Sequence, residues 1–446
     1  MNRRNFLTTA VSSSAAMGGA ARIAAGAATE HPVPVRSPRA TSGDAIEPEW
    51  KERLTITVGP DKADLAGSTE KVVQAAVDSI ARWGGGTVKI LPGTYRFRNA
   101  VYLQNNVRIQ GSGLDSMIVK EASAIAKLSR NSDWFDQEIT FADAGGFQVG
   151  DGVCLRVKNT SAGGLDVIKR TLVARNGNRF KLDSGLRKNV WLMGEPKVEG
   201  LFPLFSGENI AGVTIENIAL DGNKANNGNL DGNYAGCIWM QDCNRIIFRG
   251  VTAKNYNGDG ISWQICHDVL VEDCHSLDHT GLGLHPGSGS QRSLIRRNRM
   301  TGNDQGLFFC WGVRWGLAEN NYIEGSKRYG ISIGHHDTDN IVRNNQIRAS
   351  GEVGVLFRKE RTAEFQGNRN VIEKNQILGL TGESGVGIDV QGQTQSIQIL
   401  GNEIRETQAP SKRIGIRIGP DTDRITLAGN RIQGFAEELL DLRKKR

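Results

Sequence analysis

Acidic residues and histidines gather in the second half of the chain, where they could support proton-transfer chemistry. Asp259 and Asp304 each stand one or two residues before a glycine that opens an apolar, alternating run. Five of the seven histidines lie within or beside that region, namely His275, His279, His285, His335 and His336. Carboxyl groups and imidazoles are the side chains that most often give and take protons in active sites. Their concentration predicts a functional site in this part of the chain.

Two carboxyl groups on either side of a glycosidic bond perform glycoside hydrolysis. Asp259 and Asp304 lie two repeats apart in the pattern described below, which separates them by ~9.6 Å if they are aligned, twice the strand spacing. That distance is at the upper edge of the range for inverting hydrolases, and Asp278 could close the gap. We therefore predict Asp259 and Asp304 as acid and base, with Asp278 as a third catalytic candidate.

β-Elimination from a uronic acid requires other groups. It needs a base, and a cation or calcium that neutralises the uronate carboxylate. The candidates for these roles are His285, His335, Arg358, Lys359 and Tyr329. Epimerisation of a uronate begins with the same proton abstraction, so residue types do not separate it from lyase action. The sequence predicts no cofactor and no metal site, except that a lyase could use calcium.

Aromatic and polar residues in the same repeats are candidates for sugar binding. An exposed aromatic face on an outer wall is costly unless a partner covers it, and sugar rings stack on such faces. The residues predicted to bind substrate are Trp311, His279, Gln305, Tyr329 and His336. Trp263 is predicted to face the core, and His275 is expected to have a structural role in a corner.

The elements that position these residues follow from a repeat. A glycine followed by apolar residues at alternating positions recurs roughly every 24 residues, a period typical of solenoids. The starting glycines are Gly236, Gly260, Gly281, Gly306, Gly330, Gly354, Gly387 and Gly415. Alternating β-branched residues between Gly, Asn and Asp corners predict strands instead of helices. Two or three short strands per turn predict an all-β fold, a right-handed parallel β-helix.

A second column of the repeat consists of asparagines followed by an apolar residue. Its members are Asn217, Asn298, Asn320-Asn321, Asn344-Asn345, Asn375, Asn402 and Asn430. Stacked at a strand spacing of ~4.8 Å, their side-chain amides should form a ladder inside the coil. Cys243 and Cys266 hold equivalent places on neighbouring coils, close enough to form a disulfide. The absence of CxxC pairs favours six buried free thiols over a zinc or redox site.

The N-terminus has the features of an export signal. Arg3-Arg4 before Phe6-Leu7 and an Ala-rich stretch resembles the bacterial twin-arginine signal. We predict a signal peptide at 1–28, a linker at 29–50 and one domain at 51–446, exported to the periplasm or beyond. Three of the seven net positive charges leave with the signal and four belong to the tail at 443–446. A nearly neutral body argues against a nucleic-acid partner, and no segment is apolar enough for a membrane anchor after cleavage.

The first part of the domain carries a recognisable combination of motifs. A helix predicted at Glu70 to Arg82, with Ser68 as its cap and an apolar face of Val72, Ala75, Ala76 and Ile80, covers the first coil. It is followed by Gly84-Gly85-Gly86-Thr87-Val88, Leu91-Pro92-Gly93-Thr94-Tyr95 and Gln110-Gly111-Ser112-Gly113. This order resembles the pectin-lyase-like superfamily, and within it the rhamnogalacturonase, epimerase and pectate-lyase-like domain. The resemblance covers about Asp64 to Ile432.

What this resemblance implies is a β-helix that contacts a polysaccharide, because the fold hosts hydrolases, lyases, epimerases and non-catalytic binders. Asn257-Gly258-Asp259-Gly260 is similar to the Asn-Thr-Asp-Gly motif of polygalacturonases, whose paired Asp and Gly-His-Gly motifs are absent here. We predict a polysaccharide-active enzyme, with hydrolase slightly favoured over lyase or epimerase. The opposing hypothesis is a carbohydrate-binding surface protein. A small β-rich insertion, with a hairpin at Asn176-Gly177, interrupts the repeat from about 133 to 199.

Overall fold

The computed structural model describes residues 32–33, 35, 47–408 and 412–444. Within them the chain winds through three walls of parallel strands, so the predicted all-β parallel β-helix is confirmed. The proposed signal peptide and most of the linker lie outside the described residues. No helix in the described ranges is long and apolar enough to span a membrane.

The first and second walls join into one 22-stranded sheet. The long strands Val107–Lys120 and Ala211–Asp221 bend from the first wall into the second. The other strands of the first wall are Thr55–Gly59, Gly86–Ile90, Asn244–Arg249, His267–Glu272, Leu294–Arg296, Leu317–Glu319, Ile341–Arg343, Val371–Glu373, Gln398–Leu400 and Thr426–Ala428. Those of the second wall are Leu65–Ala66, Gly93–Phe97, Thr252–Lys254, His275–Leu277, Arg299–Thr301, Tyr322–Glu324, Gln346–Arg348, Gln376–Leu378, Glu403–Arg405 and Arg431–Gln433.

The third wall is an 11-stranded parallel sheet, and it carries most of the predicted site residues. Its strands are Val101–Tyr102, Phe205–Glu208, Ile238–Gln241, Ile261–Gln264, Leu282–Gly287, Gln305–Phe308, Tyr329–Ile333, Val353–Phe357, Val386–Val390, Ile414–Ile418 and Glu437–Asp441. Alternate side chains point into the coil, where Ile261 and Trp263 are fully buried as predicted. The remaining side chains of each strand point outward and stack coil upon coil.

Strand register corrects two of the predicted repeat positions. Ile238 pairs with Ile261, and Ile261 pairs with Leu284. Gly260 therefore aligns with Cys237 on the preceding coil, one residue after the predicted Gly236. On the following coil it aligns with Gly283, two residues after the predicted Gly281. A side chain at Gly260 would clash with Ser276 of the second wall and with the backbone of the next coil, so these corners need very small residues.

The predicted asparagine ladder is present from Asn298 onward, whereas the predicted member Asn217 is exposed and lies outside it. The side-chain amides of Asn298, Asn321, Asn345, Asn375 and Asn402 each donate to the next coil's asparagine side chain, at 2.9–3.0 Å. Each amide also donates to a backbone carbonyl, so no polar atom of the ladder is left without a partner in the dry interior. Cys243 and Cys266 are stacked at equivalent positions and unbonded, and all six cysteines are free.

An α-helix, Glu70–Ala81, covers the open end of the coil. It begins after Thr69, one residue later than the predicted cap Ser68, and no side-chain cap hydrogen bond forms. Its buried face consists of Val73, Ala76, Val77 and Ile80, whereas the predicted Ala75 is exposed and Val72 is half-buried. The buried face is turned from the predicted one because the helix packs on Thr55–Gly59 and Gly86–Ile90 of the first wall and also on Val101–Tyr102 of the third wall.

The insertion is a separate six-stranded sheet with its own apolar core. Its strands are Ile125–Lys127, Glu138–Thr140, Gly152–Lys158, Leu165–Asn176, Arg179–Leu182 and Lys197–Glu199. The predicted hairpin forms, with Asn176 paired to Arg179 and Gly177 at φ 61°. The sheet starts earlier than predicted because Ile125–Lys127 pairs with its last strand. Short 3-10 turns occupy Trp50–Glu52, Leu192–Gly194, Lys224–Asn226 and Ala363–Phe365.

Candidate functional site

A groove runs along the outer face of the third wall over its later coils. Its floor is an outward-facing apolar cluster of Val353, Leu356 and Val386, flanked by Tyr329 and Ile414. The enclosed volume is about 750 Å³. Polar and charged residues line its sides, namely Gln305, Arg328, Glu352, Arg358, Lys359, Glu383, Asp389, Gln391 and Arg417. An apolar floor with convergent polar groups is typical of a site for an extended small-molecule or polymer ligand.

Two carboxylates and an arginine form one vertical column at the edge of this groove. Gln305 pairs with Tyr329, which pairs with Val353, so the residues just before them align as Asp304, Arg328 and Glu352. Arg328 donates to both oxygens of Asp304, with Nη2 to Oδ2 at 2.6 Å and Nε to Oδ1 at 3.2 Å. Glu352 makes no ion pair with any described residue. Asp304 and Glu352 are two coils apart, ~9.6 Å along the column.

Tyr329 lies between these two coils and contributes its ring to the groove. The guanidinium of Arg328 sits 5.3 Å from the ring centroid. Burial, and then the neighbouring Glu352 carboxylate, raise the pKa of the Tyr329 phenol above its ordinary value. Tyr329 is therefore a neutral hydrogen-bonding group at physiological pH and a poor base.

Arg358 and Lys359 enter the groove with different degrees of freedom. Arg358 is fixed by hydrogen bonds to Ser332 Oγ at 2.8 Å and the Phe309 carbonyl at 2.9 Å. Its guanidinium also covers the ring of Phe308 at 4.2 Å. Lys359 is exposed and makes no hydrogen bond or ion pair with the described residues. Lys359 therefore offers a free ammonium group, while Arg358 is mainly an organising residue.

Asp259 and His285 form a buried pair beside the groove instead of lining it. His285 Nδ1 and Asp259 Oδ2 are 2.7 Å apart, and Asp259 Oδ1 accepts from the backbone N–H of Leu282 at 2.9 Å. A cover loop, residues 222–235, lies over the pair, and its Gly232 carbonyl accepts a hydrogen bond from Ser262. A side chain at Gly232 would clash with the Asp259 carboxylate. The pair is thus closed off from a polymer in the groove.

The Asp259 carboxylate keeps His285 protonated. Burial alone lowers the pKa of His285, but the hydrogen bond to Asp259 and the nearby Cys310 outweigh it and raise the pKa to about 9. His285, a predicted candidate for the base of a lyase, therefore does not suit that role at neutral pH. At neutral pH its imidazolium can donate a proton or balance a negative charge, but it cannot accept a proton.

A pH dependence of stability follows from this pair. The folded-state pKa of about 9 lies above the ordinary 6.5, so the stabilisation is complete below 6.5 and lost as pH rises through 9. The melting-temperature difference between wild type and His285→Gln should therefore shrink from pH 6.5 to 9, as followed by circular dichroism. The melting temperature of the wild type alone is not sufficient, because Lys120 and Lys169 titrate in the same range. Burial lowers their pKa values to about 7 and about 8, so their contribution to stability rises with pH and cancels in the difference between the two proteins. A constant difference would contradict the assignment.

An aromatic corner follows the third wall. Trp311 is 62% exposed and stacks on His335 at 4.7 Å, and Phe365 stacks on the same imidazole at 4.7 Å. His336 completes the cluster, and burial and His335 lower its pKa. Glu360 lies 3.6 Å from both His335 and Arg358, so the corner is continuous with the groove side.

Two predicted site residues lie elsewhere. His279 is inside the coil, where Nδ1 accepts from the Tyr256 N–H and Nε2 donates to the Ala253 carbonyl. Burial, the main cause, lowers its pKa to about 3, so a substrate-binding role for His279 is wrong. Asp278 occupies a corner before the third wall at φ 57°, and its carbonyl accepts from Lys224, so it does not bridge the other aspartates.

The single predicted groove thus resolves into three places. The open groove holds Gln305, Tyr329, Arg358 and Lys359, with Asp304 on its edge column. Asp259 and His285 are buried beneath the cover loop, and the aromatic corner holds Trp311, His335 and His336. The predicted alignment of Asp259 with Asp304 is wrong, because Asp259 stands one residue before its repeat glycine and Asp304 stands two residues before its own.

Sequence reasoning missed Arg328 and Glu352 as site residues. Each stands two residues before a repeat glycine, as Asp304 does, so counting back from the glycines would have placed all three in one column.

No metal-binding cluster of three or more His, Cys, Asp or Glu side chains occurs in the part of the chain that the structure describes. Two carboxylates of the groove, Asp304 and Asp389, instead pair with guanidinium groups. Asp389 accepts from Arg417 Nε at 2.9 Å and Nη2 at 2.5 Å, which parallels the Asp304–Arg328 pair. The groove therefore alternates acidic and basic groups and has no large net charge.

The family follows from sequence similarity to known repeats. A family model described as "Right handed beta helix region" matches residues 205–404 and 317–437, more than half of the chain when taken together. The chain belongs to this right-handed β-helix family. Among curated proteins, none matches its sequence significantly.

Solved β-helices share the fold at low identity. PfbA, a surface adhesin of Streptococcus pneumoniae, has a TM-score of 0.54 and 13% identity, with 83% of this chain and 89% of PfbA covered. Dettilon tailspike protein (gp208) has a TM-score of 0.53 and 10% identity, with 86% and 68% covered. The A-module of the Azotobacter vinelandii mannuronan C-5 epimerase AlgE4 has a TM-score of 0.42 and 15% identity, with 86% and 99% covered. At these identities the likeness to PfbA and to the Dettilon tailspike shows the fold alone.

Proposed function

We propose that this β-helix protein is a glycoside hydrolase that binds an extracellular or cell-wall polysaccharide along the third-wall groove. The column of Asp304, Arg328 and Glu352 supports this assignment best. It places two carboxyl groups ~9.6 Å apart on one edge of a groove whose floor is apolar. This spacing is at the upper limit for inverting hydrolases, which need room for a water molecule between substrate and base.

The two carboxyl groups have environments that suit different roles. Arg328 holds Asp304 through both carboxylate oxygens, which fixes this carboxylate at the edge of the groove, where it serves as the general base that activates water. Glu352 makes no ion pair with a described residue, stands beside the Tyr329 phenol and is exposed in the groove, where it can reach the leaving oxygen as the general acid. The sugar rings lie over Val353, Leu356 and Val386, whose apolar surface matches the C–H faces of pyranoses.

A lyase or epimerase is the second candidate, because Lys359 presents an unpaired ammonium group in the same groove. That group could neutralise a uronate carboxylate, although the mixed charge of the groove gives no preference for a polyanion. A non-catalytic carbohydrate-binding protein is the third candidate. PfbA, which has the same fold, is described as a surface adhesin.

One assay separates the three candidates. The mature protein is incubated with a panel of neutral and uronate-containing polysaccharides, and products are read for new reducing ends and for ultraviolet absorbance of 4,5-unsaturated uronates. A hydrolase gives reducing ends without that absorbance, and its rate is unchanged by EDTA because no cofactor is proposed. Unsaturated product would support the lyase, with loss of activity in EDTA if calcium is required. Binding without any product would support the surface protein.

Export by the twin-arginine route is part of the proposal and rests on Arg3 and Arg4. The receptor of that route reads guanidinium groups, so the double change Arg3→Lys, Arg4→Lys should leave the precursor in the cytoplasm. Cell fractionation with immunoblotting measures this. The matched change Arg22→Lys, outside the motif, should leave export unaffected. Normal export of the double variant would show that another route is used.

A further inference from the structure

Cys310 differs from the other five cysteines in its exposure and its neighbours. Cys154, Cys237, Cys243, Cys266 and Cys274 are all buried. Cys310 is half-buried, two residues beyond the third-wall strand Gln305–Phe308 and next to the exposed Trp311. Its backbone N–H donates to the Pro286 carbonyl, one residue after His285, so the thiol is held on the coil above the imidazole.

The imidazole of His285 has one nitrogen in use and one free. Nδ1 is bound to Asp259 at 2.7 Å, whereas Nε2 is buried and has no hydrogen-bond partner of good geometry among the described residues. The thiol of Cys310 is the titratable group on that side, near enough to affect the protonation of the ring. A buried polar atom without a partner calls for an explanation. With the Cys310 side chain near this ring, the three residues follow the order carboxylate, imidazole, thiol that activates nucleophilic cysteines.

We propose that Cys310 is a nucleophilic thiol activated by His285 and Asp259, and that it forms a covalent modification site for small soft electrophiles. This site is independent of the proposed hydrolase, because none of its three members belongs to the carboxylate column of the groove. His285 and Asp259 act here as positioning residues, and only the sulfur reacts.

Cationic groups lie on two sides of the sulfur. In the proposed state a Cys310 thiolate faces the His285 imidazolium, and the two act as one unit with Asp259. Arg358 adds a second cation across the ring of Phe308, which packs edge-on against His285 at 5.5 Å. The other titratable groups nearby are Tyr256, which interacts with Asp259, and the His335–Glu360 pair.

The modification step balances without a further reactant. With iodoacetamide as the probe, the thiolate of Cys310 attacks the methylene carbon, a sulfur–carbon bond forms, and the carbon–iodine bond breaks to release iodide. The imidazolium keeps its proton and Asp259 keeps its charge. An ordinary thiol is only about 1% ionised at pH 6.5, so an activated one stands out clearly at that pH.

The test is the alkylation rate of each cysteine in the folded, full-length mature protein, measured by peptide mass spectrometry. At pH 6.5 Cys310 should react first and at least 10-fold faster than glutathione, and its rate should rise far less than that of glutathione between pH 6.5 and 8.5. His285→Gln and Asp259→Asn should each lower the rate at pH 6.5 at least 10-fold. His275→Gln, which changes a half-buried histidine of the second wall, should leave it unchanged. Circular dichroism checks the fold of each variant.

The wild-type profile alone can overturn the proposal, even if a variant fails to fold. A Cys310 rate no greater than that of glutathione at pH 6.5, with the same rise to pH 8.5, would show an ordinary thiol. Equal labelling of the five buried cysteines would show that the rate reports unfolding. A folded His285→Gln variant with an unchanged rate would show that the imidazole does not activate the sulfur.

Discussion

Replacement of Glu352 by glutamine, or of Asp304 by asparagine, is expected to lower kcat by about 10²–10⁴-fold, the usual contribution of a general acid or base. Both amides keep the size of the side chain but cannot exchange a proton. Because the apolar floor and the remaining polar groups still hold the sugar, KM should change far less than kcat. Steady-state kinetics on the polysaccharide identified in the panel measure both quantities.

The chain offers controls outside the groove for both changes. Asp339 binds Arg369 through two oxygens at 2.7 Å, and its side chain is as exposed as that of Asp304, so Asp339→Asn removes a similar ion pair away from the groove. Glu324 lies on the second wall, and Glu324→Gln is the control for Glu352. Neither should alter kcat by more than a small factor. Similar losses in the controls, or full activity in the groove variants, would exclude the carboxylate column as the catalytic pair.

If Asp259→Asn inactivates the enzyme while Glu352→Gln does not, the pair originally predicted from the sequence would be favoured over the column. The structure gives a reason to expect the opposite. Asp259 is 3% exposed and lies beneath the cover loop, whereas Glu352 is exposed in the groove. A polymer could reach Asp259 only after the loop between 222 and 235 has moved.

The fold could be predicted because each coil repeats the same local rule. Alternation in segments such as Gly330-Ile331-Ser332-Ile333 specifies which side chains face inward, and a one-residue error would expose Ile331 and Ile333. The asparagines specify the corner, since their side-chain amides satisfy backbone groups of the preceding coil. The register was mispredicted where two glycines lie close together in the sequence. Gly281 was predicted as the corner residue, but Gly283 occupies that position.

The site was only partly predictable, for a reason that is also physical. Counting along the repeat shows which residues share an outward column, and it correctly places Tyr329 beside Gln305. Which columns are open to solvent depends on loops outside the repeat. The cover loop closes Asp259 and His285 from above, and no periodic signal in the sequence shows where that loop lies. His279 was misplaced because a polar side chain in the coil interior is stabilised by backbone partners from another coil.

The asparagine ladder should carry a large share of the local stability, so Asn345→Ala is expected to destabilise the protein by about 3–5 kcal/mol. Oδ1 of Asn345 accepts from the backbone N–H and the side-chain amide of Asn321, each at 2.9 Å. Its Nδ2 donates to the Ala318 carbonyl at 3.0 Å. Alanine removes the partner of the Asn321 backbone N–H, of one N–H of the Asn321 amide and of the Ala318 carbonyl in a dry interior, and each unsatisfied group costs about 1–3 kcal/mol. Denaturant unfolding followed by circular dichroism gives the change in free energy.

The neighbouring Asn344 is a matched control, because it has the same side chain in the opposite environment. It is exposed and holds a left-handed backbone conformation at φ 53°, which glycine adopts without strain. Asn344→Gly should therefore change the stability by no more than about 0.5 kcal/mol. Hydrogen exchange adds a local measure, since in Asn345→Ala the amide proton of Asn321 should lose protection before those of distant coils. If the two substitutions changed the free energy of unfolding equally, the hydrogen bonds lost with the Asn345 side chain would have been replaced by water or by a shift of the neighbouring coils.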